Sequence, residues 1–211
     1  IADRDWSSDV CSSDLVSAEA PAMKRALLAA AAAGAALAAG AQPVSYRLDP
    51  THSFVHFEVM HFGTATLRGR FGPLDGVAAL DRSAQRGEVS LTIPTRIVST
   101  GLPVLDSRLR QGDLFASEAY PEAYFVARNF VFEGDALREV RGEFTFRGVS
   151  QPLTLRATRF ACRQDTQGAQ GEVCGGDFEA ELLRSSFGAD FGVPLVSDRV
   201  KLLVQVEGRR R

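Results

Sequence analysis

Three histidines, His52, His56 and His61, fall within ten residues of one another and are the only ones in the 211-residue chain. Imidazoles that close in sequence could hold a metal ion or move protons. The stretch around them, however, alternates apolar and polar residues, the mark of a strand whose side chains point to opposite faces in turn. Val55, Phe57, Val59 and His61 share one face; Phe54, His56, Glu58 and Met60 share the other. His52 and His56 therefore diverge from His61, no third ligand stands nearby, and no metal site is expected. Nucleophilic or phosphate chemistry finds no support either, since the chain has no G-x-S-x-G, P-loop or G-x-G-x-x-G pattern. No catalytic residue and no cofactor are expected. A hydrolase or isomerase on this chain would need a polar cluster inside the fold, for which His56, Glu58 and His61 are the candidates. Arg68 and Arg70 have two readings: guanidinium groups facing an anionic ligand, or a solvated strand face.

The chain divides into three pieces before any fold is considered. Residues 23–41 have the form of a secretory signal peptide. Lys24 and Arg25 precede an alanine-rich apolar run over 27–37, and Ala39-Gly40-Ala41 is a small-x-small cleavage site before Gln42. At 16 residues, the run 26–41 is short for a membrane-spanning helix, so an integral membrane protein is not expected. Residues 1–22, with their near-repeat Ser7-Ser8-Asp9 and Ser12-Ser13-Asp14, have no targeting logic and resemble translated adapter read-through; they are expected to be a non-native extension. The remaining 42–211 form one domain, expected in the periplasm or outside the cell. Of the 24 basic and 26 acidic groups, residues 1–41 hold three and five, which leaves 21 of each. A formally neutral domain is not built to track nucleic-acid phosphates. Only Cys162 and Cys174 remain beyond residue 41, and in an oxidising compartment they are expected to form a disulfide. Closing the intervening stretch, read as a Gln- and Gly-rich hairpin loop, stabilises by roughly 3 kcal/mol in the chain-entropy view.

Within 42–211 the period-two alternation recurs around 53–61, 67–71, 89–93, 125–132, 140–146, 153–157, 178–182 and 200–206. Turns are expected at Gly72-Pro73, Asp75-Gly76, Gly87, Glu133-Gly134-Asp135, Gly148 and Pro152. Leu102, Leu105 and Leu109 break the rhythm at helical spacing, so a helix or two should cross between 99 and 121. About eight antiparallel strands with one helical crossing suggest a barrel or a sandwich; eight strands enclose an interior that side chains fill or one ligand occupies. All 14 phenylalanines lie in this domain.

Several motifs, taken in order, are familiar as a set. They are Leu48-Asp49-Pro50-Thr51-His52-Ser53 leading into Val55-x-Phe57-x-Val59-x-His61, then Gly69-x-Phe71, Leu114-Phe115, Tyr120-Pro121 and Phe125. Gly142-x-Phe144-Thr145-Phe146-Arg147-Gly148-Val149, Leu183-Arg184-Ser185-Ser186-Phe187-Gly188 and Val196-Ser197-Asp198-x-Val200 follow. The set, spanning about Tyr46 to Glu207, resembles the YceI-like family of exported bacterial proteins, also called the polyisoprenoid-binding domain. The cysteine pair is not a family-wide feature. The resemblance implies an all-β fold, an extended, eight-stranded antiparallel, lipocalin-like barrel with a short helical crossing. It also implies an apolar cavity for one lipid-like molecule: a polyprenyl chain, an isoprenoid quinone or a fatty amide.

The denser apolar parity set then names the expected cavity wall: Val55, Phe57, Val59, Phe71, Leu91, Ile93, Phe144, Phe146, Leu155, Phe178, Leu182 and Val204, with Phe115 near the crossing. Gly69, Gly142 and Gly148 are read as tight bends, and Arg184 as the anchor of a turn through Asp198 or another carboxylate. The rival reading is a filled barrel without a ligand, acting as a structural or stress-related interaction protein. Oligomeric state is open at this level, a homodimer included.

Overall fold

The computed structural model describes residues 42–165 and 171–211; the expectations for 1–41 lie outside the described residues. Eleven strands run as β1 (Val44–Leu48), β2 (Phe54–His61), β3 (Ala65–Phe71), β4 (Asp75–Asp81), β5 (Arg86–Pro94), β6 (Val98–Ser99), β7 (Glu122–Glu133), β8 (Ala136–Phe146), β9 (Val149–Asp165), β10 (Gly171–Leu183) and β11 (Val196–Arg210). One α-helix, α1 (Pro103–Leu109), and a 3-10 turn at Arg184–Phe187 complete the described elements.

All strand pairs are antiparallel, and β1-β4-β5-β7-β8-β9-β10-β11 close into a ring through the β1–β11 pair. The other three strands extend it at one end. The long β11 pairs with β1 near its C-terminus (Leu48↔Gly208) and with β2 along its first half (Leu202↔Phe57). In the same manner β3 continues β4, and β6 continues β5. Three of the eight walls are thus interrupted strands. At the extended end β6 pairs with β3 alone, and the segment 100–121 carrying α1 fills the space before β7.

Hydrogen bonds fasten that segment at both ends. Asp106 accepts from the Thr100 amide and hydroxyl at 2.7 and 2.6 Å. The Ser117 hydroxyl donates to Thr95 O at 3.2 Å, and the Thr95 hydroxyl to Tyr120 O at 2.7 Å, both residues being fully buried. The helix expected from the leucine spacing is therefore present, with Leu105 and Leu109 turned inward and Leu102 left exposed just before it.

The break between β1 and β2 is held by the residues of the Asp-Pro-Thr-His-Ser motif. Asp49 accepts from the Thr51 hydroxyl at 2.6 Å, the Thr51 amide at 3.0 Å, the His52 ring at 3.1 Å and Arg209 at 3.3 Å. The Thr51 hydroxyl foremost, and then these other donors, outweigh the desolvation of Asp49 and hold its pKa well below the usual carboxylate range. A depressed folded-state pKa means stability that is present above the unfolded value and lost as pH falls. Asp49→Asn should therefore lower stability at neutral pH and flatten the acid limb below about pH 4. Urea midpoints measured from neutral to acid pH check this, and parallel curves for both proteins would refute it.

Several local expectations change. Asp75-Gly76 begins β4 rather than forming a turn, because Gly76 faces the backbone of β5, where an added Cβ would stand 2.5 Å from Ser90 O. Gly87 lies inside β5. Pro152 lies inside β9, opposite Glu143, on an edge stretch that has only β8 as neighbour, where proline is tolerated. Cys162 and Cys174 are bonded, but as direct cross-strand partners, since pairing continues out to Asp165↔Gly171; the hairpin loop is shorter than 163–173.

Gly148 has a positive φ of 73° at the β8–β9 turn, whereas Gly69 and Gly142 sit mid-strand and serve close approach. A Cβ on Gly69 would meet the Phe57 ring at 2.3 Å, and one on Gly142 would meet Val126 O at 2.4 Å. Gly69→Ala is expected to push the Phe57 ring toward the barrel interior and to destabilise by about 1–3 kcal/mol. Thermal melts and a crystal structure would test it; an unchanged melt with an unmoved ring would not fit.

Candidate functional site

Inside the barrel, at the end where α1 and the segment 189–196 meet, lies a cavity of about 260 Å³. Of its lining residues among those described, only His61, Thr95, Arg108 and Arg184 are polar. The rest are apolar side chains, most of them delivered by alternate positions of the strands and the others by α1, the stretch after it and the 189–196 segment, so the strand pleat separates most of the apolar interior from the polar exterior. Twelve of the thirteen residues expected from parity line this cavity: Val55, Phe57, Val59, Phe71, Leu91, Ile93, Phe115, Phe144, Phe146, Leu155, Leu182 and Val204. Phe178 does not. It points inward but lies four residues from Leu182, about 13 Å along the strand, and lines a second chamber of about 80 Å³ toward the end that holds Tyr46.

Aromatic rings form one side of the larger cavity. Phe115, from the segment after α1, packs its ring 5.2 Å from Phe71, 5.7 Å from Phe146 and 6.2 Å from Phe57. Phe187, which parity reasoning did not single out, lies behind that wall and packs against Phe144 at 5.5 Å and Phe146 at 6.0 Å. It belongs to the 3-10 turn, where alternation carries no information.

The charged residues divide by face. Arg68 pairs with Glu58 at 2.6 Å, and Arg70 lies 4.8 Å over the Phe54 ring, both on the outer surface. His56 and Glu58 share that outer face, and burial, aided by Arg70, lowers the His56 pKa. Only His61 of the proposed polar cluster reaches the cavity, so His56, Glu58 and His61 do not converge. The arginines that do reach it are Arg108 and Arg184. Arg108 holds Asp113 through two bonds of 2.6 Å and lies 4.3 Å over the Phe191 ring. It thereby joins α1 to the 189–196 segment across the solvent-facing end of the cavity, where Phe191 is 54% exposed.

Arg184 is buried and donates to four backbone carbonyls: Ser197 O at 2.9 Å, Val196 O at 2.9 Å, Phe191 O at 3.0 Å and Ala189 O at 2.5 Å. It is a turn anchor as expected, but through carbonyls. Asp198 accepts instead from the Ser185 amide and hydroxyl at 2.8 and 2.6 Å. Desolvation lowers the Arg184 pKa, opposed by the nearby charges of Asp198 and Asp190. Arg147 acts similarly, donating to Phe187 O at 3.1 Å, Gly112 O at 2.8 Å and Leu114 O. Spacing gives no hint of these roles, since both arginines sit in turns and bind backbone carbonyls, which no side-chain pattern marks.

At the opposite end a buried tyrosine meets a carboxylate. Tyr46, buried beside Leu80 and Cys174, donates to Glu172, which also accepts from Arg82 at 2.7 Å. Burial first, and then the Glu172 carboxylate, push the Tyr46 phenol up to about 12. The barrel therefore presents the larger cavity at the end marked by the exposed Phe191, a geometry that receives an apolar chain end-on, and among the described residues no acid–base pair converges on it.

Comparison with known proteins agrees with this architecture. Residues 46–208 match the YceI-like domain. Protein YceI of Escherichia coli O157:H7 is 31% identical over 190 residues, covering 88% of this chain and 98% of that protein. A UPF0312 protein of Pseudomonas aeruginosa strain LESB58 is 32% identical over 194 residues, covering 90% and 100%. Among solved structures, Burkholderia cenocepacia BcnA superposes with a TM-score of 0.63 at 20% identity, covering 76% of this chain and 98% of that one. A polyisoprenoid binding domain from Saccharophagus degradans does so with a TM-score of 0.58 at 18% identity, covering 80% and 99%; at these identities the likeness is one of fold. With a family match across nearly the whole barrel, and relatives aligned along almost their full length, this chain belongs to the YceI-like domain family.

Proposed function

We propose that this protein binds one lipid-like amphiphile and carries or sequesters it, the apolar chain inside the barrel and the polar head at the solvent-facing end. The observation that carries this reading is the cavity of about 260 Å³, walled almost wholly by apolar side chains. An apolar cavity without polar partners does not hold water well, while each methylene buried in it contributes about 0.8 kcal/mol. The likeness of fold to a polyisoprenoid binding domain supports the same chemistry: a polyprenyl chain, an isoprenoid quinone or a fatty amide. A filled barrel would lack such a space. An enzymatic reading would need a polar cluster facing the interior, and His56 and Glu58 face outward.

The proposal includes export. Residues 23–41 act as a cleaved signal peptide, with 42–211 released into the periplasm or beyond and 1–22 foreign to the native product. The cleavable pattern ending at Ala41 and the bonded cysteine pair support this. Native mass spectrometry of protein purified from a periplasm, followed by solvent extraction, tests both parts. A mass beginning at Gln42 plus a stoichiometric lipid-like adduct is expected. An apo mass that stays bare after incubation with prenols, quinones and fatty amides would overturn the binding reading.

A further inference from the structure

Two chambers of the interior share four wall residues, which places those residues between them. Leu91, Phe125, Leu155 and Val204 line the larger cavity and the smaller one alike. They come from β5, β7, β9 and β11, four of the eight walls of the barrel, and all four are buried, Phe125 to 2% exposure. Leu91 and Phe125 are direct cross-strand partners, and Gly142 beside them leaves room for the Phe125 ring, which an added Cβ would approach to 2.9 Å. All four belong to one hydrophobic core cluster.

Resting on the proposed function, we propose that this layer is a length stop: it halts the end of the bound chain and so selects amphiphiles by how much apolar chain they can bury. An apolar cavity of about 150 Å³ accommodates a benzene molecule. On that scale 260 Å³ holds roughly ten carbons, and the 80 Å³ beyond the layer roughly three more. Carbons past the tenth have no apolar space to enter and stay at the solvent-facing end. Distal side chains such as Val206 never touch the ligand while the layer is intact.

The test is titration of the purified protein with saturated n-alkan-1-ols from hexanol to octadecanol, read by native mass spectrometry. For the unaltered protein, affinity should rise about fourfold with each methylene up to roughly ten carbons and then level off. Phe125→Ala, or Leu155→Ala if the first variant does not fold, should move the plateau out by roughly three carbons. Adding Val206→Phe, which fills the far chamber, should bring it back. Affinity that climbs without a break to octadecanol in the unaltered protein overturns the length stop and leaves the binding reading intact. A plateau that stays in place in the folded variants does the same. Failure of every alcohol to bind, with no adduct at any length, defeats the binding reading itself.

Discussion

Replacing Arg184 by methionine is expected to remove at least about 3 kcal/mol of stability and to free the 189–197 segment at the mouth of the barrel. Its guanidinium donates to Ala189, Phe191, Val196 and Ser197 carbonyls, and hydrogen bonds from a charged donor contribute about 1.5–3 kcal/mol each, without being additive. Methionine fills much of the volume but offers no donor, so the carbonyls must turn to water and the segment must open. Arg184→Lys should recover only part of the loss, because one ammonium cannot span four acceptors arranged around a planar fork. Denaturant unfolding gives the stability, and hydrogen exchange locates the loosening. Protection lost in 189–197 with the β7–β10 strands unchanged is the expected pattern. Unaltered exchange and an unaltered midpoint would mean that the four contacts carry no weight.

Phe146→Arg should abolish binding of any apolar chain and weaken the fold by about 3–5 kcal/mol, the usual loss for a large core aromatic, before the cost of the charge is counted. Phe146 is 9% exposed, lines the cavity and packs against Phe115, Phe144 and Phe187. A guanidinium there must lie in the apolar cavity without a carboxylate or must pull the wall outward. Phe146→Leu is the control for packing alone: it should cost less stability and retain binding within about tenfold, a change of one or two methylenes. Native mass spectrometry with a bound alkanol and a thermal melt separate the two effects. If the arginine variant folds and binds as the unaltered protein does, Phe146 does not face the ligand.

The sequence by itself determined the barrel walls and the inward parity. Alternation along 53–61 and 140–146 has a period equal to that of the strand, and water on one side with apolar contact on the other permits only one register. That is why Val55, Phe57, Val59, Phe144 and Phe146 were legible as interior residues without coordinates. The weak strands were not: β4 reads Asp-Gly-Val-Ala-Ala-Leu-Asp, poor in β-branched residues, and its pairing with both β1 and β5 overrides that local preference.

What only the tertiary structure decided is depth and closure. Parity tells which face a residue takes but not how far along the barrel it lies, so Phe178 looked like its neighbours and proved to belong to the far chamber. The same limit hid the set of Leu91, Phe125, Leu155 and Val204, which are far apart in sequence, stand on four different strands and line both chambers. Arg147 and Arg184 were illegible as fastenings of the mouth for a related reason: they bind backbone carbonyls, which every residue possesses. Side-chain pattern records solvent exposure along a strand; distance along the barrel axis and the choice of a carbonyl partner are set by how distant segments pack.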